Sequence, residues 1–172
     1  MGADLIPLYR AMAESGSNFH GLSILQHRES IAELVTRVGG IRTMLDFGCG
    51  RGDAYGEPHR VYRDWGFSRK RVTLYDPAFA NLSTLPKNQS DLVICSDVLE
   101  HIEEAEVPEF IDTLFNYTGR VLWASVCCRP AKKRFPDGRN LHVTVQPFEW
   151  WKNQFAAAWQ YREAQFQLVE TA

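Results

Sequence analysis

The sequence has four cysteines, and no two of them form a CxxC pair. Cys49, Cys95, Cys127 and Cys128 are spaced neither as a disulfide framework nor as a zinc finger. Most lie in apolar or glycine-rich stretches, so the expectation is buried thiols in a reducing cytoplasm. No run of about 18 apolar residues occurs, and no membrane-spanning segment is expected. Met1 to Arg10 lacks a basic head followed by an apolar core, so no signal peptide is expected either. A dominant charge is also missing. Nineteen Lys and Arg face 21 Asp and Glu, a formal net charge of −2, which argues against wrapping nucleic acid by charge alone. Repeats and low-complexity segments are absent.

What remains is 172 residues, 45% of them hydrophobic, a length suited to one domain with a sheet covered on both faces. Asp4 to Ser15 reads as a short helix ending at the turn Gly16-Ser17-Asn18. Glu29 to Val38 spaces Ile31, Leu34, Val35 and Val38 as an amphipathic helix does. Short apolar runs at Thr43–Phe47, Val72–Tyr75, Leu92–Cys95 and Val121–Val126 read as buried parallel strands. Helices are expected at about Pro58–Trp65, Glu103–Asn116 and Phe148–Gln160, with a last strand within Tyr161–Val169. Alternating strands and helices imply an α/β, Rossmann-like three-layer sandwich with a mostly parallel sheet. Residues 1–40 are expected to form a helical cap, and 127–147 a substrate loop, of a single domain spanning 1–172.

The most informative stretch is Leu45-Asp46-Phe47-Gly48-Cys49-Gly50-Arg51-Gly52. Glycines at alternate positions after a strand let a ligand approach the main chain, and a following helix would offer unpaired N–H groups. The third glycine comes one residue too early for the dinucleotide fingerprint. Asp46 would repel a pyrophosphate but suits the ammonium and sulfonium of S-adenosylmethionine (SAM). Asp76, at the end of the second strand and 24 residues past Gly52, can accept hydrogen bonds from ribose hydroxyls. A nicotinamide dehydrogenase is disfavoured by the same two features.

LDFGCGRG, YDP and DLVICSDVLEHI resemble the first three motifs of class I SAM-dependent methyltransferases, over roughly Thr43 to Val126. The resemblance implies SAM as cofactor, with Gly48, Cys49, Gly50 and Gly52 cradling its methionine part and Asp76 holding its ribose. Cys95, Ser96 and Asp97 would line the methyl-transfer centre. One departure is the 14 residues between Asp76 and Asp91, too few for the family's usual helix, strand and adenine-binding turn. The fold is therefore expected to be reduced by that unit, with Pro77, Phe79 and Leu82 as an apolar replacement.

Asp97, Glu100 and His101 would share one helical face if they open a helix. With His142 and the later Phe148-Glu149-Trp150, their order is similar to metal-dependent 2′-O-methyltransferases of small RNA. Around the Glu-His pair it is also similar to quinone O-methyltransferases. That likeness implies Asp97, Glu100, His101 and His142 as ligands of a divalent metal. The alternatives are His101 or His142 as general base, or a structural helix cap. Arg129, Lys132, Lys133, Arg134 and Arg139 crowd a loop after the fourth strand and suit an acceptor bearing an anionic group. No DNA base-methylation motif is present. The expected activity is methyl transfer to an oxygen of a small or nucleotide-like anionic acceptor. A metal-dependent RNA 2′-O-methyltransferase and a non-catalytic SAM-binding subunit are the alternatives.

Overall fold

The computed structural model describes residues 5–16 and 19–171. Five parallel strands form one sheet: β1 (Met44–Phe47), β2 (Val72–Tyr75), β3 (Ser90–Ser96), β4 (Thr118–Cys127) and β5 (Gln165–Thr171). Their spatial order is β2-β1-β3-β4-β5, with β2 at one edge and β5 at the other. No strand lies beyond β2 among the described residues. Residues 76–89 form turns, as the short spacing before Asp91 implied.

Side chains alternate across a strand, and here each face has its own core. Leu45, Phe47, Val93, Cys95, Leu122 and Ala124 pack under α3 (Val107–Tyr117) and α4 (Phe148–Trp159). Met44, Leu92, Ile94 and Trp123 pack under α2 (Arg28–Val38) and the turns around Tyr62 and Trp65. Ile31 and Leu34 of α2 are fully enclosed, each stabilising the fold by about 1.5–3 kcal/mol. A third, smaller cluster joins Leu5, just before α1 (Ile6–Glu14), and Tyr9 within it to Ala78, Phe135 and Leu141, with Phe19 and Phe79 against it. It brings α1, the turn after β2 and the basic loop together. No helix among the described residues is long and apolar enough to cross a membrane.

Three local expectations are corrected. The helix at Pro58–Trp65 is absent. Turns and the short 3-10 segment Val61–Arg63 replace it, because Arg60 sits in the left-handed region (φ 44°), which no helix continues through. The glycine loop is followed only by the 3-10 turn Asp53–Tyr55, not by the helix expected to offer its unpaired N–H groups there. Asp97 is also left-handed (φ 53°), and only Leu99–His101 forms a 3-10 turn, so Asp97, Glu100 and His101 do not share a helical face. Asp4, Ser17 and Asn18, parts of the expected first helix and turn, lie outside the described residues.

Candidate active site

A cleft with about 660 Å³ of empty space, part of it open to solvent, lies over the C-terminal ends of β1, β2 and β3. That edge is where α/β sheets bind ligands. Gly48, Gly50, Asp76, Ser96 and Asp97 line it, together with Tyr9, Phe19, Gly21, Ala78, Phe79, Val98 and His101.

The floor is fixed by backbone bonds. Gly48 and Cys49 N–H both donate to the Tyr75 carbonyl, and Gly50 N–H donates to Oδ2 of Asp76 at 2.8 Å. The other Asp76 oxygen accepts from Ala78 N–H at 2.9 Å. Burial nonetheless raises the Asp76 carboxyl above its ordinary pKa, those two N–H groups only moderating the shift. Phe19 to Gly21 crosses this loop at contact distance. Its carbonyls accept from Arg51 and Asp53 N–H, and a Cβ on Gly21 would stand 2.0 Å from the Cys49 oxygen. No side chain fits there, and φ at Gly21 is +69°.

Several expected site residues stand behind the cleft rather than in it. Asp46 is buried. Tyr55 donates to its Oδ2 at 2.8 Å, while Oδ1 has no hydrogen-bond partner. Desolvation pushes its carboxyl up to about 7, with the Tyr55 bond opposing and Asp76 adding repulsion. Cys49 and Cys95 are enclosed, and burial raises both thiols far above the ordinary range. Gly52, left-handed at φ 75°, shapes the turn. Pro77 faces a neighbouring groove beside Tyr75 and Leu85, while Phe79 lines the cleft.

Asp97 is anchored across the sheet. Its Oδ1 accepts from Ser125 Oγ of β4 at 2.9 Å and from Thr171 Oγ1 of β5 at 2.6 Å. This holds a left-handed, non-glycine residue against the cleft.

His101 lines this cleft and also a second one, formed with Cys127, Arg129, Lys132, Lys133 and His142. Its Nδ1 lies 2.9 Å from the Leu141 carbonyl and 3.0 Å from the Tyr9 hydroxyl, which itself donates to Leu141. A carbonyl only accepts, so Nδ1 carries the proton and Nε2 keeps its lone pair. Desolvation, with His142 alongside, lowers the His101 pKa to about 4, so the ring is neutral at neutral pH.

Glu100 is buried behind His101. Cys127 N–H donates to its Oε1 at 3.2 Å, and desolvation, then Asp97, raises its carboxyl to about 8. The expected four-residue metal set is not assembled. Among the described residues, Glu100 and His142 come together with Cys127 instead, whereas the Asp97 carboxylate is turned to Ser125 and Thr171 and His101 Nδ1 to Leu141.

The basic loop separates into two roles. Arg139 pairs with Asp137 at 2.8 Å, and Arg134 donates to the Gly138 carbonyl, so both brace the loop itself. Arg129 and Lys132 line the second cleft. Asn140 organises the loop, accepting from Ala131 and His142 N–H while donating to the Ala131 carbonyl. Neither Tyr9 nor Asn140 was singled out from sequence. Tyr9 carried no motif, and its role depends on α1 reaching a loop 132 residues away.

No curated protein gives a significant match to the chain. A family model described as a methyltransferase domain matches residues 21–171, from the strap over the glycine loop to the end of β5. That span contains the whole sheet and most of both clefts, and by it the chain belongs to the class I SAM-dependent methyltransferase family.

Proposed function

We propose that the chain binds SAM in the first cleft and transfers its methyl group to an oxygen of a small or nucleotide-like anionic acceptor held in the second. The observation that carries this reading is His101, which lines both clefts with its Nδ1 proton committed to Leu141.

The residues present fit SAM. Glycines floor the cleft where side chains would collide, a buried carboxylate stands at Asp76, and Phe79 and Ala78 offer apolar surface for a base. Gly48 and Gly50 would face the aminoacyl part, Asp76 the ribose hydroxyls, and Ser96 and Asp97 the methyl-bearing side. When bound, SAM supplies a methyl carbon made electrophilic by its sulfonium. The protein then has to align the acceptor and exclude water. Arg129 and Lys132 hold the anionic group of the acceptor. His101 takes the hydroxyl proton at Nε2 while Leu141 and Tyr9 keep the ring in register.

The test is calorimetry with S-adenosylhomocysteine, followed by incubation with methyl-labelled SAM and an extract fractionated into RNA, protein, lipid and small molecules. Binding with label entering an anionic small-molecule or nucleotide fraction, and loss of that label in Arg129→Ala, is the expected result. No binding at millimolar ligand, or label entering protein or neutral lipid alone, overturns the reading.

A further inference from the structure

We propose that Glu100, Cys127 and His142 form a zinc site whose fourth position faces the basic cleft. A carboxylate oxygen, the Cys127 sulfur and a ring nitrogen of His142 lie within 4.8 Å of one another. Tetrahedral zinc, with ligand bonds of about 2.0–2.3 Å, sets its donors about 3.3–3.8 Å apart, so contraction of the group by about 1 Å completes the geometry.

Two further observations point to a ligand there. Oε2 of Glu100 is buried in a residue only 1% exposed, and it has no hydrogen-bond partner. A buried carboxylate oxygen left in that state is costly unless something meets it. The Nδ1 of His142 lies 2.5 Å from the Arg129 carbonyl. That bond places the ring proton on Nδ1 and the lone pair on Nε2, the arrangement by which metal-ligating histidines are oriented by a backbone oxygen.

The elements explain why the three meet. Glu100 follows β3, Cys127 ends the neighbouring β4, and His142 returns on the loop that β4 feeds. Thr144 N–H donates to the Glu100 carbonyl, which ties that loop down beside the pair.

The donor chemistry selects the metal. One thiolate, one imidazole and one carboxylate suit zinc, whereas magnesium and calcium take oxygen donors alone. Binding displaces two protons to solvent, one from the Cys127 thiol, whose sulfur now donates to the Arg129 carbonyl at 3.8 Å, and one from the buried Glu100 carboxyl. Three protein ligands leave one position for an outside oxygen, as in catalytic rather than structural zinc sites. Around that position stand His101, Arg129, Lys132 and Lys133, so an anionic acceptor oxygen is the ligand that the surroundings favour. The site does not require the SAM reading, and its test uses no SAM.

The full chain is stripped of metal by a chelator and titrated with cobalt(II), then with zinc. One equivalent of cobalt is expected, with the thiolate-to-cobalt charge-transfer band and the intense visible bands of four-coordinate cobalt, both erased by zinc. Cys127→Ser removes the charge-transfer band. His142→Ala, on a loop outside either core, keeps it but weakens binding at least about a hundredfold. Cys128→Ser, one residue further on, leaves the spectrum unchanged. No cobalt uptake by the folded chain, uptake without the thiolate band, or unaltered binding by His142→Ala overturns the proposal.

Discussion

The backbone N–H of Gly50 donates to Oδ2 of Asp76 at 2.8 Å, joining the loop after β1 to the end of β2 by a bond of the protein itself. Ala78 N–H holds the other oxygen, so the acid is aimed by the fold. A carboxylate fixed in this way keeps lone pairs for a second donor on each oxygen.

Asp76→Asn removes one acceptor oxygen while keeping the shape. Hydrogen bonds to charged groups contribute about 1.5–3 kcal/mol, so S-adenosylhomocysteine affinity should fall about 10- to 100-fold in calorimetry. Affinity equal to wild type would place the sugar elsewhere.

Gly21→Ala forces a Cβ to 2.0 Å from the Cys49 oxygen at a left-handed φ. The strap must lift, and the thermal midpoint should drop by several degrees, equivalent to about 2 kcal/mol, with ligand affinity falling alongside. Gly16→Ala, with nothing within 4 Å of its Cβ, should leave both unchanged. Equal midpoints for the two variants would show that the strap is not a fixed part of the site.

Asp46 gives a pH dependence. Its pKa is ordinary, about 4, when unfolded and raised to about 7 when folded. The folded state therefore binds the proton more tightly, and the resulting stability is full below pH 4 and lost as pH rises through about 7. The groups facing it are Tyr55, which donates to it, and Asp76, Cys49 and Cys95, which respond to its charge. Asp46→Asn does not titrate. In urea unfolding, its stability relative to wild type should improve by about 2–4 kcal/mol between about pH 5 and pH 8. A pH-independent difference would mean that the carboxylate is charged throughout.

His101→Gln keeps a donor for the Leu141 carbonyl but loses the basic nitrogen. Turnover on the acceptor identified by label transfer should fall about 10²- to 10⁴-fold, with S-adenosylhomocysteine affinity within severalfold of wild type. Lost affinity with turnover per bound cofactor intact would make His101 a packing residue.

Where strands, α2, α3 and α4 lie was legible because apolar runs and three-and-four spacing report burial directly. The segment from Gly56 to Trp65 was not, since the left-handed Arg60 leaves no mark in the residue pattern. The glycine loop and Asp76 were legible as a pair because a strand running into alternate glycines and an acid ending the next strand are both local patterns. Of the four expected metal-ligand candidates, Glu100 and His142 are brought together and Asp97 and His101 are not. The sequence offered Asp97 and His101 by proximity along the chain, while the left-handed turn at Asp97 sends its carboxylate to Ser125 and Thr171.

The sequence by itself determined an α/β chain with a methyltransferase glycine loop, an acid at the end of the second strand and a shortened sheet edge. Local spacing and strand hydrophobicity are enough for those. Only the tertiary structure decided that Tyr9 and Leu141 orient His101, that Arg129 rather than Arg139 faces the second cleft, and that Cys127 joins Glu100 and His142. Those relations arise from strand order and loop return, which bring together residues far apart in the chain, and no local pattern encodes that distance.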